Sequence, residues 1–409
     1  MTSWGAERAQ ALDDGDPLAA LREEFILSDD VVAYLDGNSL GRPLHATRRR
    51  LAEFVTTVWG TRLIRGWDER WMAAPTEVGD QVGRITLGAA RGQTVIGDST
   101  SVLLYKLLRA GVAARPGRDV LVIDSGNFPT DRFIAQSVAE ECGLKLRAIE
   151  PAPHAGPSVA DVESVLDQHV ALVLLSHVDY RSAEIAALEQ ITKLVHAAGA
   201  LVLWDLSHSV GVMPIGLDGA GADLAVGCTY KYLNGGPGSP AFLYVAAALQ
   251  DQLRQPISGW MGAADPFAMG SAYTPADGVR RFLSGTPPIV GMQALRDMLV
   301  LIDRVGLDRI RAKSVALTEF AIQSSDALLA PLGVELASPR DAAQRGGHVM
   351  LEHDAFRELT PALWARGVIP DFRQPRGLRL GLSPLSTSFA ELHAGISAVA
   401  ELLAERGHR

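Results

Sequence analysis

The middle of the sequence, from about residue 95 to residue 245, alternates short apolar runs with segments of helical periodicity. The apolar runs are DVLVID (119–124), LKLRAI (144–149), VALVLLS (170–176), ALVLWD (200–205), ADLAVG (222–227) and AFLYV (241–245). Runs this continuous in apolar residues are typical of strands covered on both faces. Helical patterns fill the gaps at about 98–110, 130–142, 160–168 and 183–198. The alternation predicts an α/β fold around a mainly parallel sheet, whose ligands bind at the carboxyl ends of the strands.

The pattern changes after the segment SGTPPIVG (284–291). The remaining sequence predicts helices at about 291–304 and 308–329, a strand at 347–353, a helix near 354–366, a strand around LRLGL and a last helix from about 388. We therefore predict two domains. Residues 45–290 form a large α/β domain, and residues 1–44 with 291–409 form a smaller α+β domain.

Composition and charge exclude several classes of function. The 409 residues are 47% hydrophobic, which is enough for a substantial core. The formal net charge is −9, without a basic block longer than RRR at 48–50, so no nucleic-acid partner is expected. Apolar runs such as ALVLL are too short to cross a bilayer, and no signal-peptide pattern is present. Cys142 and Cys228 show neither metal-ligand spacing nor a disulfide framework, which suits a reducing compartment. We expect a cytoplasmic enzyme that binds no membrane.

Three reactive side chains follow neighbouring strands. Asp205 ends a predicted strand, His208 lies three residues later, and Lys231 follows the next strand within TYKYLNGGPG (229–238). An aspartate, a histidine and a lysine at one sheet edge are the apparatus of a pyridoxal 5′-phosphate (PLP) site. The lysine forms a Schiff base with the cofactor, and the carboxylate keeps its pyridine nitrogen protonated. Desolvation suits the lysine to this role because it makes the ammonium lose its proton more easily.

Other segments offer groups for the rest of such a cofactor. Thr100 and Ser101 stand where a helix begins, so their hydroxyls and the free N–H groups there can bind a phosphate. Phe128 can cover a flat ring, and Asp131 can accept a hydrogen bond. Tyr230, beside the lysine, can bind phosphate or transfer a proton.

A metal site is not predicted. His348 and His353 stand five residues apart in a predicted strand, but no further ligands occur at suitable spacing. Taken singly, each of the polar residues above has an ordinary structural explanation, such as a helix cap or a solvated charge. Their joint order along an α/β chain favours the PLP site.

Several blocks along nearly the whole chain resemble one family. They are YLDGNSLG (34–41), LIRGW (63–67), DSTSV (98–102), NFPTD (127–131), WDLSHSVG (204–211), GCTYKYLNGGPGSPAF (227–242), QPISGW (255–260), SGTPPI (284–289) and GLRLGLSPL (377–385). The sequence resembles the kynureninases, especially the bacterial members. These are PLP-dependent hydrolases with the aspartate-aminotransferase-like fold.

The resemblance implies roles for individual residues. Lys231, Asp205 and Tyr230 would be catalytic, with Lys231 as the Schiff-base lysine. Arg379 would bind the substrate α-carboxylate through its two-pronged guanidinium, and Trp67, Asn38 and Ser39 would lie near the bound amino acid, with Trp67 facing its aryl group. The cofactor would be bound by Thr100, Ser101, Phe128, Pro129, Thr130, Asp131, Ser176, Asp205, His208, Tyr230 and Lys231. Trp260 and Thr286 would reach it from the partner subunit of a homodimer.

The implied reaction is hydrolytic cleavage of the Cβ–Cγ bond of L-kynurenine to anthranilate and L-alanine. The sequence departs from the family at Met261 and Ala263, where an aromatic residue and a histidine are usual, and at Ser386, where a tyrosine is usual. Smaller side chains there favour a ring-substituted kynurenine, whereas Thr286 favours the unsubstituted one. The pathway, tryptophan catabolism that feeds NAD biosynthesis or a secondary-metabolite route, is left open.

Two rival functions remain at this point. One is another PLP reaction on the same scaffold, an aminotransferase or a lyase similar to cysteine desulfurase, although Cys228 is badly placed for the mobile cysteine of a desulfurase. The other is a PLP-binding protein without catalysis. The joint presence of Lys231, Asp205, Tyr230 and Arg379 argues against that rival, because a non-catalytic protein has little need for a carboxylate-binding arginine.

Overall fold

The computed structural model describes residues 2–268 and 270–407 of the chain. The strands are β1 (Ala33–Tyr34), β2 (Thr94–Ile96), β3 (Val120–Asp124), β4 (Lys145–Ile149), β5 (Val170–Ser176), β6 (Leu201–Asp205), β7 (Leu224–Gly227), β8 (Phe242–Val245), β9 (Glu335–Leu336), β10 (His348–Glu352), β11 (Val368–Ile369), β12 (Asp371–Arg373) and β13 (Gly377–Gly381). The α-helices are α1 (Thr2–Asp14), α2 (His45–Glu53), α3 (Gly60–Arg62), α4 (Ala74–Val82), α5 (Thr100–Ala113), α6 (Pro129–Cys142), α7 (Val159–Val165), α8 (Leu188–Ala197), α9 (Leu217–Ala220), α10 (Met292–Val305), α11 (Leu307–Leu328), α12 (Phe356–Ala365) and α13 (Phe389–Gly407).

Seven strands form the central sheet, in the order β2-β8-β7-β6-β5-β3-β4. Five adjacent strands, β4, β3, β5, β6 and β7, are parallel to one another. The strand β8 is antiparallel to both β7 and β2. The prediction of an α/β fold with a mainly parallel sheet is confirmed.

The side chains of β5 alternate between two apolar clusters, one on each face of this sheet. Val173 and Leu175 belong to the cluster that includes residues of α8, and Leu172 and Leu174 belong to the cluster that includes residues of α5. All four side chains are fully buried. Helices on both faces therefore explain why the strand has no polar positions until its last residue.

A second core surrounds a four-stranded antiparallel sheet, with the order β12-β13-β10-β9. Residues of α11, α12 and α13 cover it, and β1 pairs in parallel with β11 beside it. The helix α10 contributes Met292 and Leu295 to a cluster of the seven-stranded sheet. The expected domain boundary near residue 290 stays a prediction.

Some elements lie where no element is predicted. Residues 45–87 are mostly helical and include π-helical turns at Phe54–Trp59, Trp67–Trp71 and Gly83–Leu87. The helix expected at 183–198 begins only at Leu188, because the preceding segment forms backbone bridges, one of which joins Val178 to Ile185. Within the described residues, no helix is both long and apolar enough to span a membrane.

Close contact between α4 and β2 depends on a glycine. A Cβ atom built at Gly79 would lie 2.3 Å from the carbonyl oxygen of Thr94 and 2.7 Å from Cα of Val95. Both neighbours are backbone atoms of the central sheet, so neither can move aside without disturbing its strand. The helix therefore approaches the sheet closely only because this position has no side chain.

We predict that Gly79→Ala lowers the free energy of unfolding by about 1–3 kcal/mol, the usual cost of overfilling a core. Denaturant titration of the purified protein measures the change. Gly219→Ala is the matched control, because a Cβ there would meet no atom within 4 Å. Equal stability of the two variants would contradict the prediction.

Candidate active site

The carboxyl ends of adjacent parallel strands bring most of the predicted residues to one cavity. β5 ends at Ser176, β6 ends at Asp205, and the segment after β7 carries Lys231, while β3 leads into the start of α6. These four strands are neighbours in the sheet, so their carboxyl ends meet at one edge. The cavity is lined by Thr100, Ser101, Phe128, Thr130, Asp131, Ser176, Val178, Tyr180, Asp205, Ser207, His208, Tyr230 and Lys231.

The amine of Lys231 lies close to a histidine and an aromatic ring. Its Nζ is 3.0 Å from Nε2 of His208 and 5.8 Å from the centroid of the Phe128 ring. The pKa of His208 is well below its usual range, first because the ring is buried and then because Lys231 is positively charged. The neutral imidazole can therefore accept a hydrogen bond from the amine.

The carboxyl groups of Asp131 and Asp205 lie next to each other in the cavity. Asp205 accepts a hydrogen bond from the backbone N–H of Ser207 at 2.7 Å. Asp131, in the first turn of α6, is almost completely buried beside it. The pKa of Asp131 is well above its usual range because of burial, and then because of the charge of Asp205 and a hydrogen bond with it. Burial and the charge of Asp205 therefore favour the protonated form of Asp131.

The first turn of α5 forms another part of the cavity lining. Ser99 caps α5 by accepting a hydrogen bond from the backbone N–H of Val102 at 3.4 Å. Thr100 and Ser101 follow in the first turn, where unpaired N–H groups attract anions. Burial, and then contact with Cys228, raises the pKa of Tyr230, so its hydroxyl stays a donor. These groups fit the phosphate of PLP.

Sequence reasoning missed three residues that line the cavity: Val178, Tyr180 and Ser207. Tyr180 packs edge-on against Phe128, with ring centroids 5.3 Å apart. Val178 and Tyr180 continue the two-residue alternation that starts with Ser176 at the end of β5. Extending that period past the strand would have found them.

Arg379 lies in β13, opposite Asp371 of β12, and is almost completely buried. Its Nη2 donates to the Asp371 carboxylate at 2.5 Å and to Oγ of Ser39 at 2.7 Å. Its Nη1 donates to the backbone oxygen of Tyr180 at 2.7 Å. Arg379 therefore contacts Tyr180, which lines the cavity, and Ser39 contacts Arg379, although neither Arg379 nor Ser39 lines the cavity itself. Asn38 is fully buried next to Gly381, between β13 and the N-terminal segment.

Four other predicted residues do not line the cavity of this chain. Trp67 lies in a π-helical turn, with its ring 6.1 Å from that of Trp260. Thr286 is exposed, and Trp260 is partly exposed. Pro129 starts α6 between two lining residues, Phe128 and Thr130.

Two of the three positions at which the sequence departs from the resembled family lie inside the protein, and the third, Ala263, is partly exposed. Met261 is fully buried in an apolar cluster of the central sheet, together with Phe282 and Leu283. Ser386 is also buried, and its backbone oxygen accepts a hydrogen bond from Nη1 of Arg42 at 3.0 Å. The change at Met261 therefore alters packing rather than a surface that a substrate could touch.

Within residues 2–268 and 270–407, no group of three or more His, Cys, Asp or Glu side chains is arranged to bind a metal. His348 is buried and lies beside His208, with ring centroids 5.5 Å apart. His353 packs against Phe356 instead.

Comparison with solved structures identifies the fold. A cysteine desulfurase from Thermococcus onnurineus NA1 matches with a TM-score of 0.83 at 20% identity, over 94% of this chain and 98% of that chain. A variant of C-DES with glycine covalently linked to its PLP cofactor matches with a TM-score of 0.78 at 16% identity, over 90% of this chain and 96% of that chain. The fold is that of PLP-dependent enzymes of the aspartate-aminotransferase-like type, as predicted.

Comparison with known sequences identifies the family. Residues 310–399 match the family described as kynureninase C-terminal domain. The kynureninase of Burkholderia pseudomallei is 42% identical over 97% of this chain and 95% of its own length. That of Pseudomonas fluorescens is 40% identical over 96% of this chain and 94% of its own length. The chain belongs to the kynureninase family.

The raised pKa of Asp131 predicts how stability depends on pH. Ionising the buried carboxyl destabilises the folded protein. The free energy of unfolding therefore falls as pH rises from the ordinary pKa of aspartate through the raised pKa of Asp131. Asp131→Asn removes this effect, and should raise the melting temperature of the cofactor-free protein more at pH 8 than at pH 5. Asp29→Asn, at an exposed position, is the control. An equal effect of Asp131→Asn at both pH values would contradict the assignment.

Proposed function

We propose that this protein hydrolyses the Cβ–Cγ bond of L-kynurenine, or of a ring-substituted kynurenine, to anthranilate or its analogue and L-alanine. The observation that carries the proposal is one cavity that combines Lys231, the carboxyl pair of Asp131 and Asp205, and a wall residue bound to Arg379. Family membership supports the same reaction. The proposed enzyme is a cytoplasmic homodimer.

The residues of the cavity are suited to hold PLP. Lys231 would bind the aldehyde carbon, Asp205 and Asp131 the pyridine nitrogen, and Phe128 the face of the ring. Tyr230 and the first turn of α5, with Thr100 and Ser101, would bind the phosphate, while Pro129, Thr130, Ser176 and His208 complete the shell. When bound, PLP supplies an imine and an electron-withdrawing ring that stabilise negative charge on substrate carbons.

Lys231 is the proposed base. With PLP and substrate bound, its free amine would accept the proton from Cα of the substrate. The neutral His208 accepts a hydrogen bond from Nζ at 3.0 Å and so orients the amine. Asp205 would hydrogen-bond to the pyridine nitrogen of PLP and favour its protonated form.

Arg379 is the proposed ligand of the α-carboxylate. Burial lowers the pKa of its guanidinium, and Asp371, Ser39 and Tyr180 fix the two terminal nitrogens. Among the described residues, Nε has no hydrogen-bond partner and Nη1 donates only one of its two N–H groups, so the N–H of Nε and one N–H of Nη1 remain for a carboxylate. The buried amide of Asn38 also has no partner there and can hydrogen-bond to the amino acid.

Tyr230 is the proposed proton donor to Cβ. After water has added to the γ-carbonyl and the Cβ–Cγ bond breaks, Cβ must gain a proton to give alanine. Tyr230 and Lys231 both line the cavity, and the raised pKa of Tyr230 keeps its proton in place until then.

Contacts of Trp67 support the dimer. The ring centroids of Trp67 and Trp260 lie 6.1 Å apart, and neither residue lines the cavity of its own chain, so we propose that both complete the cavity of a second copy together with Thr286. Apolar side chains exposed in the same helical stretch as Trp67 include Trp59, Leu63 and Ile64. An exposed apolar patch of this kind is typical of a protein interface.

The position of the cysteines disfavours a desulfurase-type reaction. Cys228 is buried, and burial raises the pKa of its thiol, which makes it a poor nucleophile. Cys142 is the last residue of α6, about 20 Å along the helix axis from the end that carries Asp131.

The test is an assay of the purified protein with L-kynurenine, 3-hydroxykynurenine and other ring-substituted analogues. We expect equal amounts of alanine and the aryl acid from at least one of them, and the best analogue identifies the preferred ring. No alanine from any analogue would overturn the proposal. Formation of the pyridoxamine form of the cofactor, dependent on added keto acid, would identify an aminotransferase instead.

We predict that Tyr230→Phe lowers kcat for alanine release by about 100-fold or more, the usual contribution of a positioned proton donor. The protein should still bind PLP. Tyr232→Phe is the matched control: Tyr232 flanks Lys231 on the other side and is buried, but its hydroxyl has no hydrogen-bond partner among the described residues. An unchanged kcat in Tyr230→Phe would sink the proton-donor role.

A further inference from the structure

The turn that leads into the proposed phosphate site contains an acidic residue. Asp98 has a φ of 47°, a left-handed conformation that aspartate tolerates better than most residues. It stands two residues before Thr100, which lines the cavity. A carboxylate so close to a bound phosphate would repel it.

Lys106 pairs with this carboxylate from inside the protein. Its side chain is fully buried, and Nζ lies 2.6 Å from Oδ2 of Asp98. The same amine donates a hydrogen bond to the backbone oxygen of Phe282 at 3.0 Å. Burial lowers the pKa of Lys106, and the hydrogen bond and charge of Asp98 oppose that change. Lys106 itself does not line the cavity.

We propose that Lys106 is a positioning residue of the phosphate site, which neutralises Asp98 and holds its carboxylate against the flank of α5. The first turn of the helix is then free to bind a doubly charged phosphate. The inference rests on the proposed PLP site. It concerns the phosphate alone, because Lys231, Asp205 and Asp131 contact other parts of the cofactor.

The hydrogen bond from Lys106 to Phe282 also fixes the turn at Asp98 against a second segment of the chain. Two residues after Phe282, the backbone oxygen of Ser284 accepts a hydrogen bond from the N–H of Met261 at 3.2 Å. Met261 is the neighbour of Trp260. Lys106 therefore joins the phosphate turn to the segment that carries Trp260 and Thr286, the residues proposed to complete the partner's cavity.

The chain offers a matched control for the loss of a buried lysine. Lys313 forms a buried ion pair with Asp16 and lies 4.0 Å above the centroid of the Phe389 ring. This pair belongs to the region of α11 and α13, away from the residues that line the cavity. Lys313→Met should cost stability as Lys106→Met does, without affecting the cofactor.

The experiment titrates cofactor-free protein with PLP and with pyridoxal, which lacks the phosphate, and follows the absorbance of the bound cofactor. We expect Lys106→Met to weaken PLP binding by about tenfold or more and to leave pyridoxal binding nearly unchanged. Adding Asp98→Asn should restore most of the PLP affinity, because the repelling charge is gone. Lys313→Met should bind both as the wild type does.

Each other outcome has a defined meaning. Equal weakening of PLP and pyridoxal by Lys106→Met, or no recovery in the double variant, would overturn the proposal. Lys106→Gln keeps a hydrogen-bond donor at this position and supplies the same comparison if the methionine variant does not fold. A wild-type protein that binds no PLP would overturn the proposed cofactor site instead.

Discussion

Coverage of the buried strands on both faces is the constraint on which the rest of this structure depends. A run such as VALVLLS has no polar side, so it can be buried only where helices lie on both faces of the sheet. Crossover connections between such strands keep them parallel. Ser176, Asp205 and Lys231 therefore meet at one edge although they are far apart in sequence.

Burial at that edge also sets the charges of the site. It raises the pKa of Asp131 and of Tyr230 and lowers the pKa of His208, because a charged group loses its hydration inside the protein. These shifts favour a neutral carboxyl at Asp131, a protonated phenol at Tyr230 and a neutral imidazole at His208. A cofactor with a basic ring nitrogen and an anionic phosphate complements this arrangement, so the groups that are costly to bury are those that the proposed chemistry uses.

Sequence reasoning found the residues that stand at the ends of strong patterns. Asp205 ends a clearly apolar run, and Thr100 starts a clearly periodic helix. Both could therefore be placed at the edge of the sheet from the sequence alone. Tyr180 was missed because it lies past the end of β5, where the two-residue alternation continues but the apolar run that marks the strand does not. Trp67 and Trp260 could be named only through family resemblance, and their mutual contact depends on how separate segments pack.

The sequence by itself determined the alternation of strands and helices that builds the central sheet, the reactive side chains at the strand ends and the family to which the chain belongs. These follow from local periodicity and from motifs, which are encoded within short segments. Only the tertiary structure decided that Tyr180 joins Arg379 to the cavity, that Met261 is buried and that Lys106 pairs with Asp98. Contacts of this kind arise when side chains from separate elements or successive helical turns enter one interior, and the packing of that interior is a property of the whole chain.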